Sequence, residues 1–150
     1  MGISIALHAL AAVIWVGGMF FAYMAMRPAV IRVIEPSRRP ELWCHTLSLF
    51  FRYVWGCVGV LLVTGYGLIH ALGGMGSVNW HIHVMHGLGL LMMLIFLHLF
   101  FAPYRRLKQA VHSGDMDEGS RRVGQIRQFV GINLLIGLIV ILVAAGGRYW

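Results

Sequence analysis

Four long runs of apolar residues alternate with polar segments along the chain, and each run ends at a residue that stops a helix. A bilayer-spanning helix needs about 20 predominantly apolar residues, and every run supplies them. The pattern predicts membrane helices over residues 3–27, 41–72, 82–103 and 128–146. The first is expected to stop at Arg27-Pro28 and the third at Pro103, because proline lacks an amide proton and collides with the carbonyl four residues back. Glycine pairs, Gly73-Gly74 and Gly146-Gly147, close the second and fourth. The second begins as an interfacial helix near Glu41 and enters lipid near Phe50. The first run starts almost at Met1, without a basic leader, and is too long for a signal-peptide core, so it reads as a retained helix. The expected fold is all-α: one integral-membrane four-helix bundle.

Composition makes the bilayer the solvent. Of 150 residues, 59% are hydrophobic and 11% charged, against roughly 25% charged in a soluble domain. Mean hydropathy is +0.79. Too little polar side chain exists to cover a water-facing surface.

A net charge of +7 would suggest nucleic acid in a soluble protein, but here the basic residues crowd between apolar runs. Arg27, Arg32, Arg38 and Arg39 follow the first run, with Arg52 just inside the second. Arg105, Arg106, Lys108, Arg121, Arg122 and Arg127 follow the third. The segment between the second and third runs has no charge, and only Arg148 follows the fourth. The positive-inside rule puts both basic loops in the cytoplasm and both termini on the extracytoplasmic side, as in a multi-pass protein of a bacterial-type inner membrane. Residues 104–128 read either as a surface helix lying on anionic lipid or as a solvated connector. Cys44 and Cys57 lie about 20 Å apart along one helix, too far for a disulfide.

Eight histidines are the informative feature, because ionisable groups within a bilayer are costly and usually face a bundle interior. The topology gathers His8, His70, His81, His83 and His86 from three helices near the extracytoplasmic surface. His98 and His45 fall toward the other side, and His112 lies in a loop. Neutral imidazoles on facing helices suit haem b, which helix bundles hold between axial ligands. On this reading His8 and His86 are the iron ligands, His70 is the leading substitute, and Trp15, Gly17 and Gly18 shape the pocket wall. Further glycines at 56, 59, 65, 67, 87 and 89 admit either a porphyrin plane or ordinary close helix packing. The rotation of about 120° between His86 and His98 favours one haem over a two-haem stack. Copper competes for the same residues: His81 and His83, with Met75 and Met85 nearby, form a soft nitrogen and sulfur cluster. Since His81 and His83 would point about 200° apart on a helix, their joint chelate requires a loop there.

A resemblance rests on the stretch His8-Ala-Leu-Ala-Ala-Val-Ile-Trp15-Val-Gly17-Gly18, which is similar to the opening helix of CopD and HemJ-type membrane proteins. Arg52-Tyr53, Thr64-Gly65-Tyr66-Gly67-Leu68, Trp80, His98 and Tyr104-Arg105-Arg106-Leu107 extend it along nearly the whole chain. The resemblance implies a four-helix membrane protein binding b-type haem. For HemJ-like relatives it implies oxidation of protoporphyrinogen IX, and for CopD-like ones copper handling at the inner membrane. His86 stands where the HemJ pattern has lysine, which replaces a cation by an iron ligand and favours a bis-histidine cytochrome.

The leading expectation is therefore a CopD/HemJ-like cytochrome b in membrane electron transfer, with a quinol or other redox partner. The alternatives are a protoporphyrinogen IX oxidase and a copper-transporting or copper-handling protein. Arg52 and His98 are the candidates to hold a carboxylate or quinone on the inner side, and His98 the candidate catalytic residue if the protein is an oxidoreductase. Homo-oligomerisation is compatible with the sequence. Asp115, Asp117, Glu118, Glu35 and Glu41 are the only acidic residues, and all fall in loops or at a helix entrance. A carboxylate proton relay in the membrane core is thereby excluded.

Overall fold

In the computed structural model, which describes every residue except Arg148 and Trp150, the chain is a bundle of long helices with no strand among the described residues. The described residues contain four helical stretches long and apolar enough to cross a membrane: Gly2–Val33, Pro36–Ala71, Trp80–Ser113 and Met116–Gly146. The all-α four-helix membrane fold is thus present. Arg148, the basic residue expected beyond the last span, lies outside the described part.

The boundaries differ from expectation at both prolines. Helix α1 (Gly2–Phe21) does not stop at Arg27-Pro28 but passes through a π-helical turn, Ala22–Met26, into α2 (Arg27–Val33). Likewise α4 (Trp80–Leu99) runs through a π-helical turn, Phe100–Tyr104, that contains Pro103, and continues as α5 (Arg105–Ser113). A wider π turn makes room where the proline ring would strike the carbonyl of the preceding turn, so each helix continues past its proline. The second helix, α3, spans Arg39–Ala71 as one piece.

The polar segment 104–128 is neither a helix lying on lipid nor a loose connector. It is the tip of a helical hairpin, and the fourth helix, α6 (Met116–Gly146), begins well before residue 128. Gly114 adopts φ +78° at the end of α5, a left-handed conformation that glycine reaches without a Cβ penalty. Asp115 then caps α6, its carboxylate accepting the Glu118 amide at 3.0 Å. Glu118 in turn pairs with Arg122 and with Arg121, at 3.5 Å for the latter. Local chemistry closes this turn.

The chain folds as two antiparallel hairpins. α1 packs along α3, α4 packs along α6, and α6 also touches α1 and α3. Gly137 of α6 admits the close approach: a Cβ there would stand 2.8 Å from Val16 and 3.1 Å from Met92. Between α3 and α4 the space is filled by an aromatic band at mid-depth. Phe51 meets Phe96 at 5.5 Å and Tyr104 at 4.9 Å, Trp55 meets Phe96 at 5.3 Å and Phe100 at 5.4 Å, and Trp15 closes on Phe96 from α1 at 6.0 Å. Edge-to-face rings of this kind add about 0.5–1.5 kcal/mol per pair beyond area burial. One end of the bundle carries His8, His70, His81, His83 and His86, and the other carries the clustered arginines.

Candidate functional site

His8, two turns into α1, points toward α3, where its Nδ1 lies 2.8 Å from the Thr64 hydroxyl oxygen. That hydroxyl donates its single proton to the Val60 carbonyl at 2.6 Å, the return bond a threonine makes within a helix. Thr64 can then only accept from His8. The imidazole therefore donates through Nδ1, and in its neutral form this tautomer leaves the lone pair on Nε2. The ring seats itself in the notch at Gly65, where an added Cβ would stand 3.3 Å from Cε1. A hydrogen bond that fixes tautomer and orientation is what an imidazole metal ligand receives from its surroundings.

His86, on α4, meets Tyr66 of α3 edge-on at 5.3 Å. Thr64 and Tyr66 are two residues apart, about 3 Å along α3 and about 200° around it. His8 and His86 therefore share a depth but approach α3 from different sides. A single iron between them requires one ring to leave its present neighbour.

The other outer-end histidines follow from the same register. His70 is exposed on the last turn of α3, one turn beyond Tyr66. α4 begins at Trp80 with Asn79 as its cap, so His81 and His83 both sit on regular helix, about 200° apart, and the loop a joint chelate requires is not there. His81 packs against the end of α6, where a Cβ on Gly147 would come within 2.6 Å of its own Cβ. His83 and His86, three residues apart, share one face. Among the described residues no group of three or more His, Cys, Asp or Glu side chains could hold a metal ion.

Trp15 is 3% exposed and belongs to the aromatic band. Gly18 lies beneath the Phe50 ring, which a Cβ would overlap, whereas Gly17 faces open space. Gly18 thus serves helix packing. His98 stacks edge-on against Phe129 of α6 at 5.0 Å, while Arg52 is exposed on α3. They have different neighbours.

Two polar residues of the spans matter more than the sequence suggested. Thr64 sets the His8 tautomer, and its signal was available: His8 and Thr64 stand equally far from Pro36 at the hairpin turn. Asn133 is 2% exposed; its amide donates to the Met92 carbonyl at 3.2 Å, leaving Oδ1 without a partner. It joins α4 to α6, and its lone position in an apolar run was the only hint.

Fold and site together define a multi-pass membrane protein with imidazoles from three helices at one end. The chain belongs to the CopD family: the family model described as copper resistance protein D matches residues 44–146. His70, His81, His83, His86 and His98 fall inside that match, whereas His8 precedes it. No curated protein and no solved structure matches the chain. The family description names copper and not haem, so the CopD side of the expected resemblance is shown and the cytochrome b reading is not.

Proposed function

We propose that the protein handles copper ions at its histidine-rich face, in a bacterial-type inner membrane, with the His8 Nε2 as an anchoring ligand. The supporting observation is the His8–Thr64–Val60 relay, which places the neutral ring's proton on Nδ1 and its lone pair on Nε2. Imidazole and thioether donors suit copper, and His70, His83, His86, Met75 and Met85 are the donors toward the same end of the bundle. Detergent-purified protein loaded with Cu(I) should retain copper through gel filtration, read by elemental analysis, and His8→Ala should lose it. Equal retention by the variant overturns the assignment.

A second reading, b-type haem in electron transfer with a quinol or similar partner, is favoured by one observation. Gly56, Gly59, Gly67, Gly87 and Gly89 meet nothing within 4 Å of an added Cβ, so they serve no close packing within this chain and leave room for a flat macrocycle. His8 and His86 would be its axial ligands with His70 the substitute, and porphyrinogen oxidation through His98 would be the enzymatic form. The visible spectrum of protein from haem-replete cells separates the two readings: sharp α and β bands after reduction belong to haem, and a colourless protein rules it out.

A further inference from the structure

The arginine-rich end holds a cavity of about 250 Å³ between the π turn Ala22–Met26, α2, the first part of α3 and α6. Three arginines, Arg27, Arg39 and Arg127, line it. Among the described residues the ion pairs all belong to Glu118, so no carboxylate neutralises these three guanidiniums. Glu35 and Glu41, the nearest acidic residues in sequence, are not part of the lining.

The lining is graded along its length. α3 contributes Arg39 at one extreme and Phe50 at the other, and α6 runs from Ser120 through Arg127 to Val130 in the same direction. From Arg39 to Phe50 is about 16 Å at 1.5 Å per residue. The cations thus reach from Arg39 at one extreme to Arg127, one turn short of Val130, and the far extreme at Phe50 and Val130 is apolar. Arg39 is held rigidly, donating through Nε to the Ile34 carbonyl at 2.9 Å and through Nη2 to the Ile31 carbonyl at 2.8 Å. Arg27 rests 5.9 Å from the Tyr23 ring centroid, and Arg127 comes from the opposite hairpin.

Fixed, unneutralised cations above an apolar slot complement an anionic amphiphile. A pocket slightly under the roughly 300–1,000 Å³ that encloses a whole drug-sized ligand takes only part of such a molecule and leaves the rest in the bilayer. We propose that this cavity binds an anionic phospholipid, its phosphate between Arg27 and Arg127 and the start of one acyl chain against Phe50 and Val130. Basic pockets between transmembrane helices recognise anionic headgroups by this chemistry. The lipid would tie α6 to the α1–α3 hairpin, and the site is independent of the histidine end.

The test uses full-length protein in detergent, titrated with phosphatidylglycerol or phosphatidylcholine and followed by thermal unfolding and by lipid retained after gel filtration. Phosphatidylglycerol should bind and stabilise preferentially. Arg27→Gln with Arg127→Gln should weaken its binding about twenty-five-fold, at about fivefold per arginine, with phosphatidylcholine unaffected. Gly124 lines the cavity and a Cβ on it meets nothing within 4 Å, so Gly124→Leu should fill the slot, spare the fold and abolish the preference. Equal stabilisation by both lipids overturns the proposal, as does a preference that survives Gly124→Leu. Protection by glycerol 3-phosphate matching that of the lipid also overturns it, since the acyl chain would then have no part.

Discussion

A single hydroxyl decides what His8 can do. Thr64 spends its proton on Val60, so the imidazole must donate at Nδ1, and loss of the hydroxyl removes that constraint without touching Nε2. Thr64→Val should therefore lower copper affinity about 10–100-fold, the usual effect of removing a ligand's hydrogen-bond partner, while Thr64→Ser should retain most of it. Competition against a colorimetric Cu(I) chelator measures both; an unchanged affinity in the valine variant would detach the relay from metal binding. At this scale the sequence was partly legible. His8 stood out because an ionisable group in an apolar span must have a reason. Thr64 did not, since a lone threonine among valines and glycines looks like any small residue in a packed helix. Which side of α3 each histidine meets depends on the rotation of whole helices, and no local pattern records that.

The elements were legible in kind and misplaced at their ends. Hydropathy located the four spans because lipid imposes length and polarity on each. Hydropathy could not show that π turns carry the helices through Pro28 and Pro103, because that rearrangement is a backbone response and not a side-chain preference. Nor did it show the hairpin tip, where Ser113-Gly114-Asp115 is the αL stop and cap that helix termini use. Gly114→Ala should cost about 1 kcal/mol through its positive φ, and Asp115→Ala about 1 kcal/mol through loss of the cap. Thermal unfolding in detergent reads both. If neither variant melts below wild type, the tip is not held by this chemistry.

The whole molecule joins two hairpins through a few close approaches, and glycine positions separate those approaches from lipid-facing surface. Gly137→Leu would drive side-chain carbon into Val16 and Met92, an overpacking worth about 1–3 kcal/mol. Gly59→Leu meets nothing within the chain and should fall within about 0.5 kcal/mol of wild type. Melting temperatures of the two variants, measured side by side, should differ clearly; similar values would mean that α6 does not seat against α1 and α4 as described. Neither glycine could be assigned from sequence, where both are small residues in apolar helices.

The aromatic band between α3 and α4 gives the bundle an aromatic waist. Rings from Trp15, Phe51, Trp55, Phe96, Phe100 and Tyr104 fill the level between the two ends, and Lys108 lies over the Tyr104 ring at 4.9 Å on the arginine side. For a cation held at His8 as proposed, these rings stand between it and the arginine-rich end. Vectorial passage of such a cation across the bilayer would demand that the two hairpins hinge apart and unstack those rings.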